Sequence, residues 1–116
     1  MIGPRVAAIV AAVPAAADFD MGSLAKPTVP LGLVTAAQDK WLAPRFHSDA
    51  VLASCTSCEV VAALPGGGHG ALLSPLPPNL PDAAAELLND PPGFDRSVLP
   101  EVDNRIAAFF RRNLLR

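Results

Sequence analysis

Three runs of this chain are apolar at consecutive positions: residues 5–13 (Arg-Val-Ala-Ala-Ile-Val-Ala-Ala-Val), 29–35 (Val-Pro-Leu-Gly-Leu-Val-Thr) and 59–64 (Glu-Val-Val-Ala-Ala-Leu). A strand that is apolar on both faces needs cover on both, which is the environment of a parallel sheet flanked by helices. Between the second and third runs, residues 44–53 place Phe46, Ala50, Val51 and Ala53 at helical spacing behind a proline suited to a first turn. Strand, helix, strand is a βαβ unit. The expected fold class is therefore α/β, with about three parallel strands, flanking helices and a long C-terminal amphipathic helix. That helix is expected over residues 100–114. Val102, Ile106, Phe109, Phe110 and Asn113/Leu114 trace one face, acids open it, and Arg111 and Arg112 close it, in accord with the helix dipole.

The chain has 116 residues, 51% of them hydrophobic and 17% charged, which suffices for one core. It reads as one domain, residues 1–116. Many of the thirteen prolines fall between positions 75 and 100. Residues 73–99 accordingly read as a Pro-rich, lid-like excursion with one short helix at 81–88. A net charge of −2 and a single basic cluster, Arg105, Arg111, Arg112 and Arg116, give no electrostatic footprint for nucleic acid. No run approaches the ~20 apolar residues that span a membrane. The first residues have two readings. One is a cleavable leader over positions 1–17, with one basic residue, a short apolar run and Ala15-Ala16-Ala17. The other is a buried strand stopped by Pro14. The strand is preferred, and with it a cytoplasmic location.

Ligands of an open parallel sheet gather at the carboxyl ends of its strands. Asp39 follows the second run and His69 follows the third, on Pro65-Gly66-Gly67-Gly68-His69-Gly70. The two are expected to meet, the carboxylate fixing the imidazole tautomer and leaving the second ring nitrogen as a base. Gly66, Gly67, Gly68 and Gly70 are expected to supply positive-φ turns that aim the ring. The plainer alternative has Asp39 capping a turn and His69 on a surface loop. Trp41 either lines a substrate pocket or covers a helix start.

Cys55-Thr56-Ser57-Cys58 lies at a helix-to-strand turn and is best read as two small structural residues. A redox dithiol is disfavoured because such pairs open helices. A zinc site from Cys55, Cys58, His69 and His47 lacks the usual histidine spacing. His47 is expected on the helix after Pro44. The glycines are no phosphate loop, since no Lys-Ser/Thr follows. No cofactor or metal is expected.

From Arg5 to Leu115 the sequence resembles the C-terminal portion of an α/β-hydrolase of the dienelactone hydrolase-like group. Pro4-Arg5-Val6-Ala7-Ala8-Ile9-Val10 is similar to the strand after the nucleophile region. Val29-Pro30-Leu31-Gly32-Leu33-Val34 with Ala37-Gln38-Asp39 is similar to the strand and turn of the triad acid. Pro65-Gly66-Gly67-Gly68-His69 is similar to the histidine loop. Asp90-Pro91-Pro92-Gly93-Phe94-Asp95-Arg96 and Ile106-Ala107-Ala108-Phe109-Phe110 are similar to the segments that come after it. The resemblance implies a serine-type hydrolase of carboxylic esters or lactones, with Asp39 as acid and His69 as base. It departs at the nucleophile. Such enzymes place a serine on a G-x-S-x-G elbow before the acid. Here only Ser23 precedes Asp39, without the second glycine or a preceding strand end. The chain is expected to carry two members of a triad and to be inactive alone. The alternatives are a non-catalytic truncated module that pairs with another chain through the open edge of the first strand, and a small metal or redox protein using Cys55 and Cys58.

Overall fold

The computed structural model describes residues 5–16, 20–73 and 78–115. Residues 1–4 and 17 of the leader reading, 74–77 of the Pro-rich excursion, and Arg116 of the basic cluster lie outside them. Strands β1 (Ile9–Ala12), β2 (Leu31–Ala36) and β3 (Glu59–Leu64) form one sheet in the order β1-β2-β3. Both pairings are parallel. The architecture is α/β, as the unbroken apolar runs require.

β2 is central, and its side chains alternate between two cores. Leu33 joins Ala16, Val51 and Cys55 under helix α1 (Ser48–Ser54). Val34 joins Val61, Leu64, Val102 and Phe109 under helix α3 (Leu99–Leu114). Gly32 is what lets α3 approach, because a Cβ there would lie 2.5 Å from Val61 Cγ2 and 3.0 Å from the Phe109 ring. The register shifts between Leu33 and Val34, so that β3 carries one extra residue, a bulge that twists this edge strand. Val60 beside the bulge is exposed.

Several expectations need correction. β1 is four residues long, not nine. Val13 ends it with φ 42 just before Pro14. Residues 44–53 are not one helix. A 3-10 turn, Pro44–Phe46, stops at His47, whose φ of −127° and ψ of −91° are not helical, and α1 starts after it. The break has a cause outside the segment: His47 Nδ1 accepts the Ala16 amide N–H at 2.8 Å, tying the turn after β1 to the start of α1. A 3-10 turn at Met21–Leu24, unmarked by periodicity, packs on α1. Its cap is local, with Asp20 Oδ1 accepting from Gly22 N.

Helix α2 (Asp82–Leu88) and α3 lie where expected, within a residue at each start. α3 runs back along β3. Leu99, Val102 and Phe109 are buried, while Leu114, assigned to the apolar face, is exposed. Among the described residues no helix is long and apolar enough to cross a membrane.

Candidate active site

β2 and β3 stay zipped together beyond their last strand residues. Ala37 N donates to Leu64 O at 3.0 Å and Gln38 N to Gly67 O at 2.9 Å. These bonds carry the two chain ends to one spot. There His69 Nδ1 lies 2.9 Å from Asp39 Oδ2. Asp39 is buried, and its other oxygen accepts from the backbone N–H of Trp41 at 3.0 Å and of Leu42 at 2.9 Å. A carboxylate has only acceptors to offer, so the shared hydrogen sits on Nδ1, and in the neutral ring Nε2 carries the lone pair. Among the described residues Nε2 has no hydrogen-bond partner.

The imidazole is about one-quarter exposed and borders a cleft of about 480 Å³. Trp41 and Lys40 stand on one side of this cleft. On the other, Glu86, Leu87, Asp90 and Pro91 come from α2 and the turn after it. The described part of the Pro-rich excursion thus forms a wall of the cleft that holds His69. Trp41 is half exposed on the rim, with the Lys40 ammonium 5.9 Å from its ring centre.

The glycines around His69 work differently from the expectation. None of Gly66, Gly67, Gly68 or Gly70 has positive φ; the positive-φ glycine among the described residues is Gly93, at 85°. Three of the four are needed for close approach, Gly67 because a Cβ there would lie 2.9 Å from Leu64 Cβ. A Cβ on Gly70 would lie 2.2 Å from Leu88 O, and one on Gly68 would lie 2.9 Å from Pro91 Cδ. The histidine loop is pressed against the α2 segment, and a side chain at either position would force them apart.

The cysteines occupy the predicted helix-to-strand turn but are bonded to each other, Cys55 to Cys58. While this bond stands, neither sulfur is a thiolate or a metal ligand; it is the oxidised form of the pair. Cys55 is buried in the α1 core, so the pair links the end of α1 to the start of β3. His47 serves the Ala16 amide. Ser23 Oγ donates to Asp20 O, and among the described residues no serine is bonded to His69.

Arg96 and Asp90 were not singled out by residue reading. Arg96 Nε and Nη2 donate to the two Asp90 oxygens at 2.6 and 2.9 Å. Nη2 also reaches Gly70 O at 3.1 Å, and Nη1 bonds Leu73 O. The legible signal was an acid and an arginine flanking Pro91-Pro92-Gly93.

No protein family, curated protein or solved structure matches the chain. Its function must therefore be argued from its own residues and their geometry.

Proposed function

We propose that Asp39 and His69 are the acid and base of a serine-type hydrolase of carboxylic esters or lactones, with the hydroxyl nucleophile supplied from outside these 116 residues. The observation that carries this reading is the 2.9 Å Nδ1–Oδ2 contact at the carboxyl ends of adjacent parallel strands, with Nε2 left beside a cleft. The hydrolase resemblance supports it, and so does the position of the acid before the histidine. In the proposed reaction Nε2 takes the hydroxyl proton as its oxygen attacks the acyl carbon. The same proton passes to the leaving alkoxide, and a water molecule deprotonated in the same way releases the acid. Asp39 holds the ring and stabilises the imidazolium. Trp41 flanks the acyl or alcohol part of the substrate.

The test is the reading frame upstream of Met1 and the protein it encodes. An in-frame G-x-S-x-G is expected, along with labelling by a fluorophosphonate and hydrolysis of 4-nitrophenyl butyrate. His69→Ala and Asp39→Asn should each lower that hydrolysis by about 10³-fold or more. The 116-residue chain itself should neither label nor turn over. A stop codon closing the frame just before Met1, or His69-dependent turnover by the short chain, would overturn the proposal.

One observation favours a second reading. Among the described residues the outer edge of β1 pairs with nothing. A non-catalytic module would use that edge to add a strand from another chain. Light scattering on the purified chain separates the two readings, since a monodisperse monomer at high concentration removes the second.

A further inference from the structure

We infer that Arg96, held by Asp90, is the positioning residue of His69, a role that rests on reading His69 as the base. The loop bearing His69 needs an anchor on each side. On the N-terminal side Gln38 N donates to Gly67 O, tying the loop to β2. On the C-terminal side the carbonyl next to His69, Gly70 O, accepts from Arg96 Nη2, and further along Leu73 O accepts from Nη1. The same guanidinium makes its two-pronged contact with Asp90, which borders the histidine cleft.

One planar fork therefore joins its own segment to two other pieces of chain, the histidine loop at two points and the turn after α2. Only a guanidinium has enough N–H groups in one plane to do this; an ammonium cannot. The clamp is sheltered. Arg96 and Asp90 side chains are 26% and 22% exposed, against 59% and 66% for the helical pair Arg105–Glu101. Its own position is fixed by Asp95, which caps the short turn Arg96–Val98 by accepting from Ser97 N at 2.9 Å. Without Arg96 the loop keeps its β2 anchor and the buried Ala71, but Gly70 O and Leu73 O lose their side-chain donor. The His69 ring is then held less closely, and the Nδ1–Oδ2 contact lengthens.

The experiment reads the ring itself. With two histidines in the chain, ¹⁵N-histidine labelling gives two ring systems, and His47→Gln assigns them. In the unaltered chain the His69 Nδ1 proton should be far downfield and slow to exchange. Arg96→Met and Arg96→Lys should both melt cooperatively and both lose that resonance. Arg105→Met, which removes an exposed arginine, should keep it. If Arg96→Met does not fold, Asp90→Asn is read in the same way. A folded Arg96 variant that keeps the resonance in place overturns the inference. In the whole enzyme, Arg96→Lys should lower kcat about 10²-fold with little change in KM. Loss of the resonance in a protein without hydrolase activity would leave the clamp standing and remove the reading of His69 as base. Hydrolase activity with an unmoved resonance would do the reverse.

Discussion

Gly70 is the position least able to accept a side chain, because the obstacle is a backbone carbonyl, Leu88 O, that no rotamer change can move aside. Gly70→Ala should cost about 3 kcal/mol, the upper end for overpacking, measured by urea denaturation. Gly93, with open space around its Cα position and φ of 85°, should lose only about 1 kcal/mol as Gly93→Ala, from backbone conformation alone. Composition shows both residues equally well and distinguishes neither, because the neighbour that matters at Gly70 lies 18 positions away. Arg96 was hidden for the same reason, since its carbonyl partners Gly70 and Leu73 are 26 and 23 residues distant. Asp39 and His69 were legible because each follows a strand that its own sequence announces. At the far end of β3, the Arg112 hydrogen bond holds the Glu59 carboxyl below its ordinary value of 4.5, against a small burial penalty and with help from the Arg112 charge. A depressed native pKa adds stability above the ordinary value, and that stability is lost as pH falls through the native one. The stability gap between the parent chain and Glu59→Gln should therefore be steady at neutral pH and close below about pH 4.5. It should be small, because both side chains are substantially exposed and screened.

Among the elements, α3 was the most readable. Its apolar face, opening acids and closing arginines all agree with one another, and only Leu114 strays, because the helix outruns the sheet there. Phe109 is the side chain that seats it, meeting the sheet over Gly32. Phe109→Ala should cost about 3–5 kcal/mol, visible as a lower midpoint in thermal melts. The break at His47 was unreadable within its own segment, since the bond that pulls the residue out of helical conformation comes from Ala16, 31 residues earlier. β1 was overestimated because apolar content does not show where the pairing partner begins: β2 starts at Leu31, opposite Ile9, so the residues before Ile9 have no strand to pair with, and Val13 turns out of the sheet at the other end. At the α1–β3 junction, the Cys55–Cys58 bond closes a loop of only two intervening residues. Its chain-entropy contribution is correspondingly modest, about 2 kcal/mol. The double substitution Cys55→Ala with Cys58→Ala should lower stability by about that amount and leave the fold intact by circular dichroism.

For the molecule as a whole, the parallel order of the strands explains why a carboxylate and an imidazole 30 residues apart share one end of the sheet. Every strand points the same way, so the turns after β2 and β3 emerge side by side. The same order fixes what lies at the other end. α3 returns antiparallel to β3, and its last turn is pinned by Arg112 to Glu59, the first residue of that strand. The carboxyl-terminal end of the chain is thus carried to the opposite pole from His69. Coupling the protein to a solid support through that terminus would turn the histidine cleft outward toward solution, whereas the same linkage made at Pro92 would stand in its mouth.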